Sequence, residues 1–235
     1  MAVYSEQHKY IFFANPQTAS KAIARTLRER LGGESIPDRE ITRNGKIVAR
    51  RHHSTYSQLI DAELLTAAQL ESLFKFTCVR NPFDQMVSKY LKHCERLGND
   101  PAQYPWLEGV ATRTPEKNFT PWLAYEQKRF AEIKKMEKGP LAFLEHADLV
   151  IRFERLQAGF DEFLAHIGVT EPLSVTEYNI TEARKDTAAK DAATAASTAI
   201  KRKKNYADYY DKPGVAIVEQ MFAPIIERFG YRFAG

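Results

Sequence analysis

The chain has 235 residues, 44% hydrophobic and 11% aromatic, a composition that supports a sizeable core in one domain spanning 1–235 and excludes wholesale disorder. A net charge of +4 is too mild to mark a nucleic-acid partner by itself, and no apolar run approaches the roughly 18 residues of a membrane span. Met1 to Tyr10 lacks a basic-then-apolar leader pattern, so a soluble cytoplasmic protein is the expectation.

Lys9 to Ala14 (KYIFFA) is a nearly continuous apolar run, the pattern of a buried parallel strand. Asn15 to Ser20 is polar, contains a proline and reads as a turn. A helix follows from Ser20, with Ile23, Leu27 and Leu31 at four-residue spacing and Gly32-Gly33 to end it. Residues 34 to 57 are polar and read as loop or irregular strand. Thr66 and Gln69 spell a capping box before a short helix through Leu70 and Leu73. Phe74 to Val79 (FKFTCV) is a second strand, and Asn81-Pro82 opens the next helix with a cap residue and a first-turn proline. Its apolar stripe is Phe83, Met86, Val87, Tyr90, Leu91 and Cys94, and Gly98 closes it.

Asn99 to Pro115 is rich in Pro, Gly and Thr and reads as an excursion within the stretch 95–145. Thr120-Pro121 opens a helix through Phe130, Ile133 and Met136. Asp148 to Phe153 (DLVIRF) is the third strand, and its helix carries Leu156, Phe160, Phe163, Leu164 and Ile167 before Gly168. Residues 181–205 begin with an Ala/Thr/Lys/Asp-biased stretch without an apolar stripe and read as a lid or a solvated segment. The last helix, Val215 to Phe229, contains Pro224 and is expected to kink or break there.

Three strands each feeding a helix predict an α/β fold, three αβα layers about a central parallel sheet. Ligands of such sheets sit at the carboxyl ends of the strands. That rule groups Asn15 to Lys21, Arg80 to Ser88 and Glu154. Cys78 reads as a core residue, and Cys94 beside His93 makes no metal site, because structural zinc usually needs four ligands. No metal is expected.

The first loop is Pro16-Gln17-Thr18-Ala19-Ser20-Lys21. Small and hydroxyl residues between a strand and a helix let backbone N–H groups approach an anion, and the helix N-terminus adds partial positive charge. The loop lacks the Gly-Lys-Ser/Thr of a Walker motif. An ordinary capped helix start has the same look. Arg80-Asn81-Pro82, followed by Ser88, puts a guanidinium at a strand end and a hydroxyl one and a half turns into the next helix. Side chains on a helix lean towards its N-terminus, so both can serve one phosphate.

Together KYIFFANPQTASKAI, RRHHS, FKFTCVRNPFDQMVSKY, VIRFERL and ERFGYRF resemble the bacterial and Golgi-type sulfotransferases that use the nucleotide donor PAPS. The resemblance implies a P-loop-like fold and sulfuryl transfer to a hydroxyl, with PAP as product and no metal. It also implies that Pro16, Gln17, Thr18, Ala19, Ser20 and Lys21 hold the 5′-phosphosulfate and that Arg80 and Ser88 hold the 3′-phosphate. The basic run Lys201-Arg202-Lys203-Lys204, with Tyr206, fits the segment that closes over that phosphate in the family. The acceptor implied is a small molecule or oligosaccharide, with a carbohydrate first. Tyr104, Trp106, Trp122 and Tyr125 offer rings for stacking on a sugar, though such rings are more often core.

One position departs from the family. Its loop reads Pro-Lys-Thr, and the lysine stabilises charge on the bridging oxygen; here Gln17 stands instead. Losing one such donor costs on the order of 10²–10³ in rate, so either Lys21 substitutes or the protein is a slow or inactive PAP-binding relative. The family's Lys/Arg-His-x-Ser/Thr pattern aligns with Arg51-His52-His53-Ser54 and implies His52 as general base, with His53 the other candidate. Glu154, in Arg-Phe-Glu-Arg-Leu, matches Arg-Tyr-Glu-x-Leu and suggests a structural ion pair. A P-loop kinase is the rival enzyme class. Nucleic-acid binding through 201–204 is the rival binding function, and it predicts steep salt dependence.

Overall fold

The computed structural model describes residues 2–97, 104–107, 118–136, 139–175 and 205–234. In chain order the first elements are β1 (Ala2–Ser5), β2 (Tyr10–Phe13), α1 (Ser20–Arg30), β3 (Glu34–Ile36), β4 (Ile41–Arg43), β5 (Lys46–Ala49), α2 (Tyr56–Asp61), α3 (Ala67–Glu71) and β6 (Phe74–Val79). Then come α4 (Pro82–Leu97), α5 (Phe119–Met136), β7 (Leu149–Arg152), α6 (Leu156–His166) and α7 (Lys212–Phe229). The chain divides into two compact units, Met1–Arg80 with Pro140–Ile180 and Asn81–Gly139 with Thr181–Gly235.

The first unit is built on a five-stranded sheet in the order β3-β1-β2-β6-β7. The three expected strands pair in parallel, with Phe12 opposite Phe76 and Cys78 opposite Ile151. β1 and β3 add an antiparallel edge, so the sheet is mixed rather than wholly parallel. Strand alternation sorts the core. Tyr10, Phe12, Phe76, Cys78 and Ile151 pack on one face against Ile23 and Leu27 of α1 and Phe160, Phe163 and Leu164 of α6. Ile11 and Phe13 pack on the other face with Tyr56, Leu59 and Leu70 of α2 and α3. The expected αβα layering is therefore complete within this unit.

Phe163 stacks on Phe76 at 4.0 Å between centroids and meets the edge of Tyr10 at 5.3 Å. Burial of each such ring is worth about 1.5–3 kcal/mol. The α6 backbone comes so near β7 that a Cβ at Gly159 would stand 2.6 Å from Ile151 Cγ2. The capping box at Thr66 and Gln69 forms as expected, and Thr55 with Gln58 forms a second one at α2. That second box lies in the stretch expected to be loop or irregular strand, which also contains β3 and the β4–β5 hairpin.

In the second unit α4, α5 and α7 bury Phe83, Met86, Tyr90, Phe119, Trp122, Val218, Phe222 and Ile225. Tyr104 and Trp106 are buried as well, which makes them core rather than a sugar-stacking surface; Tyr125 is half-buried. Glu126, 4% exposed, accepts from Lys89 Nζ at 2.6 Å and from Arg129 Nη1 at 3.1 Å. α7 begins at Lys212, three residues before the expected start, because Asp211 caps Gly214 N at 2.8 Å. It bends at Phe222 (φ −117°, ψ 18°), in the turn before Pro224, whose ring crowds the preceding turn and supplies no N–H. Among the described residues no helix is long and apolar enough to cross a membrane.

Candidate active site

The carboxyl ends of the three parallel strands converge on the loop after β2. Asn15 Nδ2 donates to the Cys78 carbonyl at 2.9 Å, and Thr77 Oγ1 donates to the Phe13 carbonyl at 2.7 Å, fastening the end of β2 to β6. Within the loop Gln17 (φ 64°) and Ala19 (φ 60°) are left-handed, with Thr18 between them outside that region. Left-handed residues also occur in the anion-binding nests that successive backbone N–H groups form in phosphate loops. Walker-type loops use glycine for left-handed positions; here a Gln and an Ala occupy them.

α1 lacks the capping box of α2 and α3, and α6, on the same face of the sheet as α1, likewise has no side-chain cap. The N-cap of α1 is Ala19, with no side-chain cap and no acidic residue in the first turn. α2 and α3 each close their N-termini with a complete capping box. The first N–H groups of a helix have no acceptor inside it and carry partial positive charge. A helix start without a side-chain cap is suited to an anion. Thr18 is fully buried and its Oγ1 donates to the Asn15 carbonyl at 2.8 Å, so it braces the turn. Ser20 is buried, and Pro16 and Gln17 are half-buried.

Arg80 follows β6 and is only 7% exposed. Its Nη1 donates to the Gln17 carbonyl at 3.1 Å, and its guanidinium carbon lies 4.1 Å from the centroid of the Phe153 ring. Phe153 stands directly after β7. The three parallel strands thus contribute one interacting residue each: Gln17, Arg80 and Phe153. Sequence reasoning assigned Phe153 no role; the available signal was an aromatic one residue past a strand end, facing an arginine in the equivalent place one strand over.

His53 Nδ1 donates to the Ala14 carbonyl at 2.7 Å, since a carbonyl oxygen can only accept. That bond leaves Nε2 as the acceptor nitrogen of the neutral ring. Burial pushes the His53 pKa down to about 4 against the raising effect of the Ala14 carbonyl, and the Lys21 charge lowers it further. His52 is exposed, and its pKa is also lowered, by burial first and then by charges that include Arg51 and Lys21. Lys21, exposed in the first turn of α1, is thus near enough for both imidazoles to feel its charge. Glu154 is exposed in the short 3-10 turn Phe153–Arg155.

The remaining expected residues belong to the second unit. Ser88 is buried on α4 at 8% exposure. Tyr206 Oη accepts from Asn81 Nδ2 at 3.5 Å and from Ala234 N at 3.1 Å. Lys201, Arg202, Lys203 and Lys204 lie outside the described residues, as do Gly98 and most of the Asn99–Pro115 excursion and of the 181–205 segment.

A mixed sheet, left-handed backbone at Gln17 and Ala19, a helix start without a side-chain cap and a buried arginine at the adjoining strand end describe an α/β protein with its candidate site at the carboxyl ends of the parallel strands. The model of the sulfotransferase family matches residues 1–232, and the chain belongs to that family. Membership supports a sulfotransferase enzyme and sulfuryl transfer in general. No curated protein and no solved structure matches the chain.

Proposed function

We propose that the protein transfers a sulfuryl group from PAPS to a hydroxyl of a small-molecule or oligosaccharide acceptor, with a carbohydrate as the first class to test. The observation behind this reading is the left-handed, uncapped loop 16–21 with Arg80 bonded to its Gln17 carbonyl. The backbone N–H groups of 18–21 would hold the 5′-phosphosulfate, and Arg80 the 3′-phosphate. In the reaction the acceptor oxygen bonds to sulfur, the bond from sulfur to the 5′-phosphate oxygen breaks, and the electron pair leaves with PAP. A histidine takes the hydroxyl proton. One observation favours His53 in that role over the expected His52: its Nδ1 bond to the Ala14 carbonyl fixes the tautomer with Nε2 as the accepting nitrogen. Bound donor phosphates would raise its basicity. Lys21 brings the positive charge that Gln17 lacks.

A second reading follows from Gln17: the same fold binding PAP with little turnover. Titration calorimetry with PAP and ADP, joined to single-turnover transfer from labelled PAPS to a panel of hydroxyl acceptors, tests both. The proposal expects PAP to bind at least tenfold tighter than ADP and label to reach an acceptor. Equal affinity for the two nucleotides would sink the donor assignment. Tight PAP binding without transfer, with activity appearing in Gln17→Lys, would establish the low-turnover reading instead; in an active enzyme Gln17→Lys should raise the rate by up to about 10².

A further inference from the structure

Arg80 is the most enclosed cation at the strand ends, and it interacts with residues that follow two different strands. Its Nη1 donates to the carbonyl of Gln17, a non-glycine residue held at φ 64°, and its guanidinium lies 4.1 Å from the Phe153 ring centroid. A planar guanidinium on an aromatic face is restricted in tilt and in position, because the ring quadrupole attracts the cation and the ring fills the space beneath it. The Gln17 carbonyl fixes one end of the fork. A ring from β7 and a carbonyl from the β2 loop therefore set the orientation of a side chain that issues from β6.

We propose that Phe153 is a positioning residue: its ring holds the Arg80 guanidinium so that one N–H braces the left-handed Gln17 while the fork is presented to the 3′-phosphate of the donor. The phosphate part of this rests on the PAPS reading; the hold on Arg80 does not. Phe153 itself needs no contact with the donor. Its effect passes through Arg80 to the nucleotide's 3′-phosphate. A ring that merely filled space would leave discrimination between PAP and ADP untouched when trimmed.

The test uses the full chain with Phe153→Leu and Phe153→Tyr. By calorimetry, Phe153→Leu should weaken PAP about tenfold, as expected for loss of a partly desolvated cation–ring contact, with ADP changed less than twofold. Phe153→Tyr should restore wild-type affinity. Equal weakening of PAP and ADP, or unchanged PAP affinity, overturns the proposal. A second readout needs no nucleotide. The Arg80 Nε–H resonance should be ring-shifted away from the other arginines in the wild type and in Phe153→Tyr, and should fall back among them in Phe153→Leu. An Arg80 resonance indifferent to the leucine also overturns it. If the wild type binds PAP no better than ADP while that resonance responds, the positioning role stands and the donor assignment is the part that fails.

Discussion

His53 illustrates how one backbone contact decides a side chain's chemistry. Donation from Nδ1 to the Ala14 carbonyl leaves Nε2 unprotonated, and the ring stays neutral in the fold down to about pH 4. An unfolded chain takes up that proton near 6.5. Between those values the unfolded state binds more protons, so the stability tied to neutral His53 is complete above pH 6.5 and is lost as pH falls towards 4. Urea midpoints measured at pH 7, 5.5 and 4.5 should fall more steeply for the wild type than for His53→Asn; parallel lines would refute the burial argument. In transfer assays His53→Gln should lower kcat by roughly 10²–10⁴ with PAP affinity kept, the range typical of a lost general base. His52→Gln should cost far less. The reverse order would return the base to the residue the family pattern implied.

At the scale of elements, α6 packs closely on β7, the strand that ends directly before Phe153 and Glu154. Gly159 permits it, since a Cβ there would sit 2.6 Å from Ile151 Cγ2 and 3.2 Å from Ile151 Cβ. Ile151 is 1% exposed and has little room to move. Gly159→Ala should therefore destabilise the fold by about 1–3 kcal/mol, the usual cost of overpacking, despite alanine's better helix propensity. A chemical-denaturation midpoint above wild type would mean that α6 slides freely on the sheet. Capping tells a complementary story: α2 and α3 are short helices, six and five residues long, each with both halves of a capping box. The longer α1 does without a side-chain cap.

At the scale of the molecule, the first unit is organised around Phe163, which meets Phe76, Tyr10 and Phe160 at centroid distances of 4.0, 5.3 and 5.6 Å. Phe163→Ala should cost about 3–5 kcal/mol, read from far-UV circular dichroism in urea. Loss of less than 1 kcal/mol would argue that the α6 face of the sheet is not the principal core. Both tryptophans of the chain, Trp106 and Trp122, belong to the second unit. Their fluorescence thus follows that unit alone and provides a separate probe in the same titration.

Much of this was legible in the sequence. Apolar runs located β2, β6 and β7, and helical stripes located α1, α4 and α6, because burial period is written into residues i, i+2 or i, i+4 whatever their partners. The order of motifs also brought out loop 16–21, Arg80 and the histidines. β1 and β3 were not legible: four- and three-residue strands acquire their identity from the neighbours they pair with. Nor was the left-handed backbone at Gln17 and Ala19, since neither residue type announces φ near +60°. That conformation, like the seat of Arg80 on Phe153, depends on groups separated by dozens of residues and supplied by different strands. Local sequence determined the elements and the chemical groups; only tertiary structure decided which group holds which, because those energies exist only once the strands lie side by side.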